Sequence, residues 1–151
     1  MITIVRTNSE NNDFLNLVRL LDADLAVRDG EDHAFFAQYN KVAMIRHCIV
    51  AYENDKAVAC GAVKEYDADT MEVKRMYTLP ECRGKGIAVA VLSELEKWTA
   101  ELGYKKCVLE TGKKQPEAIA LYTKCKYSII PNYGQYAEVE SSVCFEKRLT
   151  D

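Results

Sequence analysis

The stretch Arg83-Gly84-Lys85-Gly86-Ile87-Ala88 has the composition of an anion cradle. Glycine lets a backbone turn sharply and approach a ligand closely. Apolar residues at helical spacing follow it, so the loop stands at a helix start. Free N–H groups and the helix dipole attract negative charge there. Arg83 and Lys85 add positive charge. These residues read as a site for a phosphate or similar anion. On the glycines alone, a tight strand-to-helix turn with solvated charges remains the alternative. The dinucleotide pattern G-x-G-x-x-G is broken, because Val89 stands where the third glycine belongs. The Walker pattern is absent, which argues against ATP or GTP hydrolysis.

Six cysteines are the other chemically suggestive residues: Cys48, Cys60, Cys82, Cys107, Cys125 and Cys144. No two form a C-x-x-C pair, and His33 and His47 lie near no cysteine pair. Zinc-ligand spacing is therefore missing, and no metal is expected. No signal peptide is visible at the N-terminus, so a cytoplasmic location and reduced thiols acting as small core hydrophobes are expected.

Several elements must position the loop. Residues 2–7 alternate and are β-branched, which predicts a strand. Ser9 is expected to cap a helix carrying Phe14, Leu15, Leu17, Val18, Leu20 and Leu21, which Asp29-Gly30 breaks. Residues 31–39 read as a second short helix. Strands are expected at residues 44–52, 57–63 and 71–79, with short turns that imply antiparallel neighbours. Then the period changes. Ile87, Val91, Leu95, Trp98 and Leu102 define an amphipathic helix over residues 85–102, with Gly103 at its end. A strand at 106–110, a helix from Pro116 to about residue 125, and strands at 127–130 and 142–145 complete the chain.

The order is β-α-α-β-β-β-α-β-α-β-β. It predicts one α/β (α+β) domain over residues 1–151, with a mostly antiparallel sheet flanked by helices. The strand–helix–strand crossover makes 71–79 and 105–110 a parallel pair.

Length and composition agree with that picture. The 151 residues suit one domain, and 48% apolar with 28% charged residues is ordinary for a globular protein. A net charge of −3, from 20 basic and 23 acidic residues, argues against a general nucleic-acid partner. No apolar run reaches bilayer-crossing length, so no membrane partner is expected.

Two blocks then identify a resemblance. Arg83-x-x-Gly86-x-Ala88 fits the R/Q-x-x-G-x-G/A pyrophosphate loop of the GCN5-related N-acetyltransferases, the GNAT family. Lys74-Arg75-Met76-Tyr77-Thr78-Leu79-Pro80-Glu81 resembles that family's fourth strand and its proline-containing exit. Residues Ala118-Ile119-Ala120-Leu121-Tyr122-Thr123-Lys124-Cys125-Lys126-Tyr127 resemble its later A-x-x-L-Y-x-K-x-G-F block. The spacing of the blocks matches the family, and the likeness covers essentially the whole chain. The chain departs from the pattern at two positions. Gln115 stands where the family often has asparagine. Lys126 replaces a glycine, and a non-glycine in a left-handed cap is strained by about 1 kcal/mol, so this helix is expected to end differently.

The resemblance implies acetyl-CoA as cosubstrate. Backbone amides of Gly84, Lys85, Gly86, Ile87 and Ala88 would hold its pyrophosphate, assisted by Arg83. Met76, Tyr77 and Thr78 would pair with the pantetheine arm inside a splayed V between residues 71–79 and 105–110, with Gln115 as a further contact. Tyr122 matches the family tyrosine that protonates the departing thiolate. A neutral amine is needed for attack on a thioester, so a base is required. Glu72 and Glu110 are the candidates. Strand alternation puts Glu72, Lys74 and Met76 on one face and Val73, Arg75 and Tyr77 on the other.

Acceptor contacts are expected from the region around Tyr39 and from Asn132, Tyr133 and Tyr136. The expected activity is N-acetylation of a small-molecule amine or amino acid by direct attack in a ternary complex. A protein acetyltransferase and a non-catalytic acyl-CoA sensor are the competing readings. A homodimer is an alternative to a monomer.

Overall fold

The computed structural model describes residues 1–29 and 44–149. The expected helix at 31–39, with Tyr39, lies outside them. Seven strands form one sheet in the order β1-β2-β3-β4-β5-β7-β6. They are β1 (Ile2–Thr7), β2 (His47–Glu53), β3 (Lys56–Asp67), β4 (Thr70–Thr78), β5 (Lys106–Gly112), β6 (Ser128–Ile130) and β7 (Ser142–Arg148). Three α-helices accompany them among the described residues: α1 (Asn12–Asp29), α2 (Ile87–Glu101) and α3 (Pro116–Lys124). Every neighbouring pair is antiparallel except β4 and β5.

The β4–β5 pair does most to shape the molecule. Only Thr70, Met71 and Glu72 pair with Lys106, Cys107 and Val108. Beyond that point β4 stays on β3 and β5 stays on β7, so the strands part toward their C-terminal ends. The expected V between two parallel strands is therefore present.

The alternation expected along β4 fails at one place. Cys60 pairs with Tyr77 but Ala62 pairs with Lys74, so Arg75 and Met76 together oppose Gly61. Arg75 takes φ +62, and the strand bulges there. Met76 consequently leaves the face of Glu72 and Lys74. Its sulfur packs over Gly61 on the α2 side, where a Cβ on Gly61 would lie 2.6 Å from Met76 Sδ and 2.9 Å from Leu95 Cδ1. Arg75 instead meets Asp22 of α1.

The core draws Phe14, Leu17 and Val18 from α1, and Val91, Leu92 and Leu95 from α2, against the sheet. Leu102, expected on the same stripe, is exposed because α2 ends at Glu101. The six cysteines are free thiols, five of them buried. Burial pushes Cys48 up to about 12 and Cys107 and Cys144 up to about 11, so these thiols stay protonated.

Two helix ends differ from expectation. Ser9 does not cap α1; its Oγ accepts a hydrogen bond from Ile45 N at 2.9 Å. Asn11 caps the helix instead, its Oδ1 accepting from Phe14 N at 2.9 Å. At the other site, α3 closes as if a glycine were present. Lys126 sits at φ +73, Lys126 N donates to Thr123 O, and Tyr127 N donates to Tyr122 O at 2.9 Å. The hydrogen bonds of the cap override the lysine's strain. Lys126→Gly should therefore stabilise the fold by about 1 kcal/mol and raise Tm by about 2–4 °C. An unchanged melting curve would mean the strain is relieved by side-chain contacts of Lys126.

Candidate active site

A short chain reversal links β4 to α2. Pro80–Cys82 make a single 3-10 turn, and Gly84 and Gly86 follow at φ +81 and +82. A Cβ on either glycine would meet no heavy atom within 4 Å, so the dihedral angle and not crowding requires glycine. Gly86 is the N-cap of α2. The first N–H to bond back is that of Ala90, onto Gly86 O at 3.1 Å, leaving the preceding amides at the mouth of the helix.

Gly84, Gly86, Ile87 and Ala88 line a cleft of about 490 Å³. Its other walls come from Met76, Tyr77 and Thr78 of β4 and from Leu121 and Tyr122 of α3. The two basic side chains behave differently from one another. Arg83 folds back: its Nε donates to Thr78 O at 2.9 Å and its guanidinium lies 5.6 Å from the Tyr77 ring centre, bracing the strand exit. Lys85 lies off the cleft lining, half-exposed, 3.5 Å from Glu53.

A second, smaller chamber of about 110 Å³ meets this cleft, sharing Leu21, Met76, Gln115, Ala118 and Tyr122 with it. Its remaining walls include Leu25 and Val73 and the polar residues Glu72, Lys74, Arg75, Glu110 and Tyr136. Glu72 is buried, accepts from Tyr133 Oη at 2.7 Å, and lies 3.9 Å from Lys74 Nζ. Lys74 Nζ also reaches Tyr136 Oη at 3.5 Å. Desolvation lowers the Lys74 pKa, which Glu72 partly offsets. Glu110 accepts from Ser142 Oγ at 2.7 Å. Tyr122 is buried between Tyr127 and Phe145, with ring centres 5.7 and 5.9 Å away. Burial, reinforced by Cys125 and Glu110, pushes its phenol upward, so it keeps its proton.

The fold thus brings Tyr122, Glu72, Glu110, Met76, Gln115 and Tyr136 around one junction. Gln115 makes no side-chain cap on α3 and lines both spaces. Two expected acceptor contacts take other positions. Asn132 Nδ2 donates to Val139 O at 2.9 Å and Ser142 O at 3.2 Å, so it ties its own loop together. Tyr133 lies outside the chamber lining and holds Glu72 in place. Lys74 and Arg75 were not foreseen as chamber residues. Two adjacent cations on a strand expected to border the V were the available signal.

The site is thus a parallel pair opened into a V, with a glycine-capped helix at one side and a tyrosine at the junction. The sequence matches the Acetyltransferase (GNAT) family over residues 15–127. The chain belongs to that family, an acetyl-CoA-dependent acyltransferase by class. It is 33% identical to the N-acetyltransferase YsnE of Bacillus subtilis, itself uncharacterized, over 66% of this chain and 67% of that protein. A Klebsiella pneumoniae structure assigned to the acyl-CoA N-acyltransferases superposes with a TM-score of 0.83 at 26% identity, covering 99% of each chain. A GNAT acetyltransferase from Elizabethkingia anophelis with acetyl-CoA bound shares the fold, with a TM-score of 0.70 at 18% identity over 97% of each chain.

Proposed function

We propose that this protein transfers the acetyl group of acetyl-CoA to the primary amine of a small molecule by direct attack. The observation that carries this reading is the junction itself. A large cleft floored by a helix start opens beside Tyr122 onto a compact polar chamber with two carboxylates. An anion fits the loop, where glycines leave the space above the α2 amides uncrowded. The acetyl-CoA-bound relative of the same fold supports the identity of that anion.

In this reading the amides of residues 84–88 hold the pyrophosphate. The free edge of β4 at Met76, Tyr77 and Thr78 pairs with the pantetheine arm. The thioester supplies an activated acyl carbon. The amine nitrogen forms its bond to that carbon as the carbon–sulfur bond breaks. Glu110 takes the proton lost by the amine, and Tyr122 gives one to the departing thiolate. Of the two carboxylates, Glu110 is assigned as the base because Glu72 is already paired with a cation, Lys74, as well as with Tyr133, whereas Glu110 accepts from the neutral Ser142 hydroxyl. A covalent cysteine route lacks support. Cys125, nearest Tyr122 in sequence, has its thiol pushed up by burial and then by Glu96.

The test is turnover of acetyl-CoA with a panel of small amines, read by product mass. Labelled acetyl-CoA without acceptor should leave no stable acetyl-protein. A labelled thiol that passes its acetyl group to an amine would overturn direct attack. Tight acetyl-CoA binding with no amine or peptide acetylated would favour a sensor.

A further inference from the structure

The chamber contains a cation that acetyl transfer as described leaves unused. The Arg75 side chain is only 3% exposed. Its Nη1 donates to Asp22 Oδ1 at 3.0 Å, and Asp22 itself faces solvent. Its Nη2 is buried and has no hydrogen-bond partner among the described residues. A guanidinium keeps its charge in a protein and presents a planar fork of donors. Asp22 meets the charge at Nη1, but Nη2 has given up its hydration without a partner among the described residues. Arg75 lines the chamber at the bulge, where φ is +62, and Met76, which also lines it, sets its sulfur against Gly61 on the α2 side. Lys74 adds a second positive group beside it on β4, tied to Glu72 and Tyr136. Glu110 lies across the V, on β5.

On β4 the Lys74 charge is met by Glu72, which leaves the open Nη2 donor of Arg75 facing a carboxylate on β5, and the two together match a ligand that carries both signs. We propose that the acceptor bears a carboxylate as well as its amine, the carboxylate taken by Arg75 Nη2 and the amine presented to Glu110 and Tyr122. This rests on the amine-acetylating reading above. The small chamber selects a compact molecule, an amino acid or a close analogue. A doubly charged phosphate fits poorly beside Glu72 and Glu110. A lysine inside a polypeptide leaves Arg75 without its partner, because its own carboxyl is an amide.

The test uses the wild-type chain, acetyl-CoA and matched triplets: free amino acids, their carboxamides and the corresponding decarboxylated amines. The acids should show kcat/KM about 100-fold above the other two, the scale of one buried charge-assisted hydrogen bond. Arg75→Gln should bring the acids down to the level of the amides while acetyl-CoA affinity stays unchanged. Should that variant fail to fold, the wild-type comparison decides alone. Amides or decarboxylated amines acetylated as well as acids would overturn the carboxylate and leave the acetyltransferase standing. Acid preference retained in a folded Arg75→Gln would do the same. No member of any triplet acetylated would overturn the carboxylate, and silence of the wider amine panel as well would overturn the acetyltransferase reading.

Discussion

Tyr122→Phe should lower kcat about 100-fold, the usual scale of general-acid assistance, while Tm and acetyl-CoA affinity hardly change. The substitution removes one hydroxyl from a ring that packs edge-on against Tyr127 and tilted against Phe145. Phenylalanine keeps those contacts, so the core has no reason to loosen. The phenol is nevertheless in the wall shared by the cleft and the chamber. Burial pushes the phenol upward, so it stays protonated and gives up its proton only as charge develops on the thiolate. A purely packing tyrosine gives the opposite result. Full turnover with a normal melting curve would remove Tyr122 from the reaction. Measuring kcat, Tm and acetyl-CoA affinity on this one variant separates the two roles.

Gly86→Glu should abolish acetyl-CoA binding, with Kd rising at least about 100-fold, while the fold survives. The glutamate adds a negative charge at the amides that would receive pyrophosphate, reversing the electrostatic complement of the helix start. It also takes on φ +82, which costs about 1 kcal/mol for a residue with a side chain. Gly103→Glu supplies the control. Gly103 has φ +94 just beyond the far end of α2 and likewise has no neighbour that a Cβ would strike. The control carries similar strain and should bind acetyl-CoA normally. Calorimetry showing unchanged affinity in Gly86→Glu would dislodge the pyrophosphate from this loop.

Local signals made much of this legible from the residues. The glycine loop, the periodic stripe of α2 and the spacing of Tyr122 from Pro116 each depend on neighbours within a few positions. The crossover from β4 through α2 to β5 fixed the parallel pair by chain geometry. What escaped depends on register between distant segments. Nothing in Lys74-Arg75-Met76 announces a bulge; it arises where two residues of β4 oppose Gly61 of β3. Strict alternation therefore placed Met76 with Glu72 and overlooked Arg75 as a chamber residue. Ser9 had a cap's chemistry and nearly a cap's position. Its hydroxyl was captured by Ile45, 36 positions away, and Asn11 took the role. Asn132 looked like a ligand contact because amides suit ligands, but the loop before β7 needed the same group to close itself.

The parting of β4 from β5 has an evolutionary consequence. Past Glu72 and Val108, each strand keeps a partner on one side only, so the sheet contains an edge in its interior. A ligand arm laid along that edge is held by main-chain groups, which every residue except proline supplies in full. Substitution can hardly erase recognition written in the backbone. The chamber next to it is written in side chains, in Glu72, Lys74, Arg75 and Tyr136, and each substitution there rewrites what it accepts. One strand therefore carries two kinds of inheritance. A lineage with this architecture can hold its acyl donor fixed through deep sequence drift and exchange its acceptor within a few mutational steps.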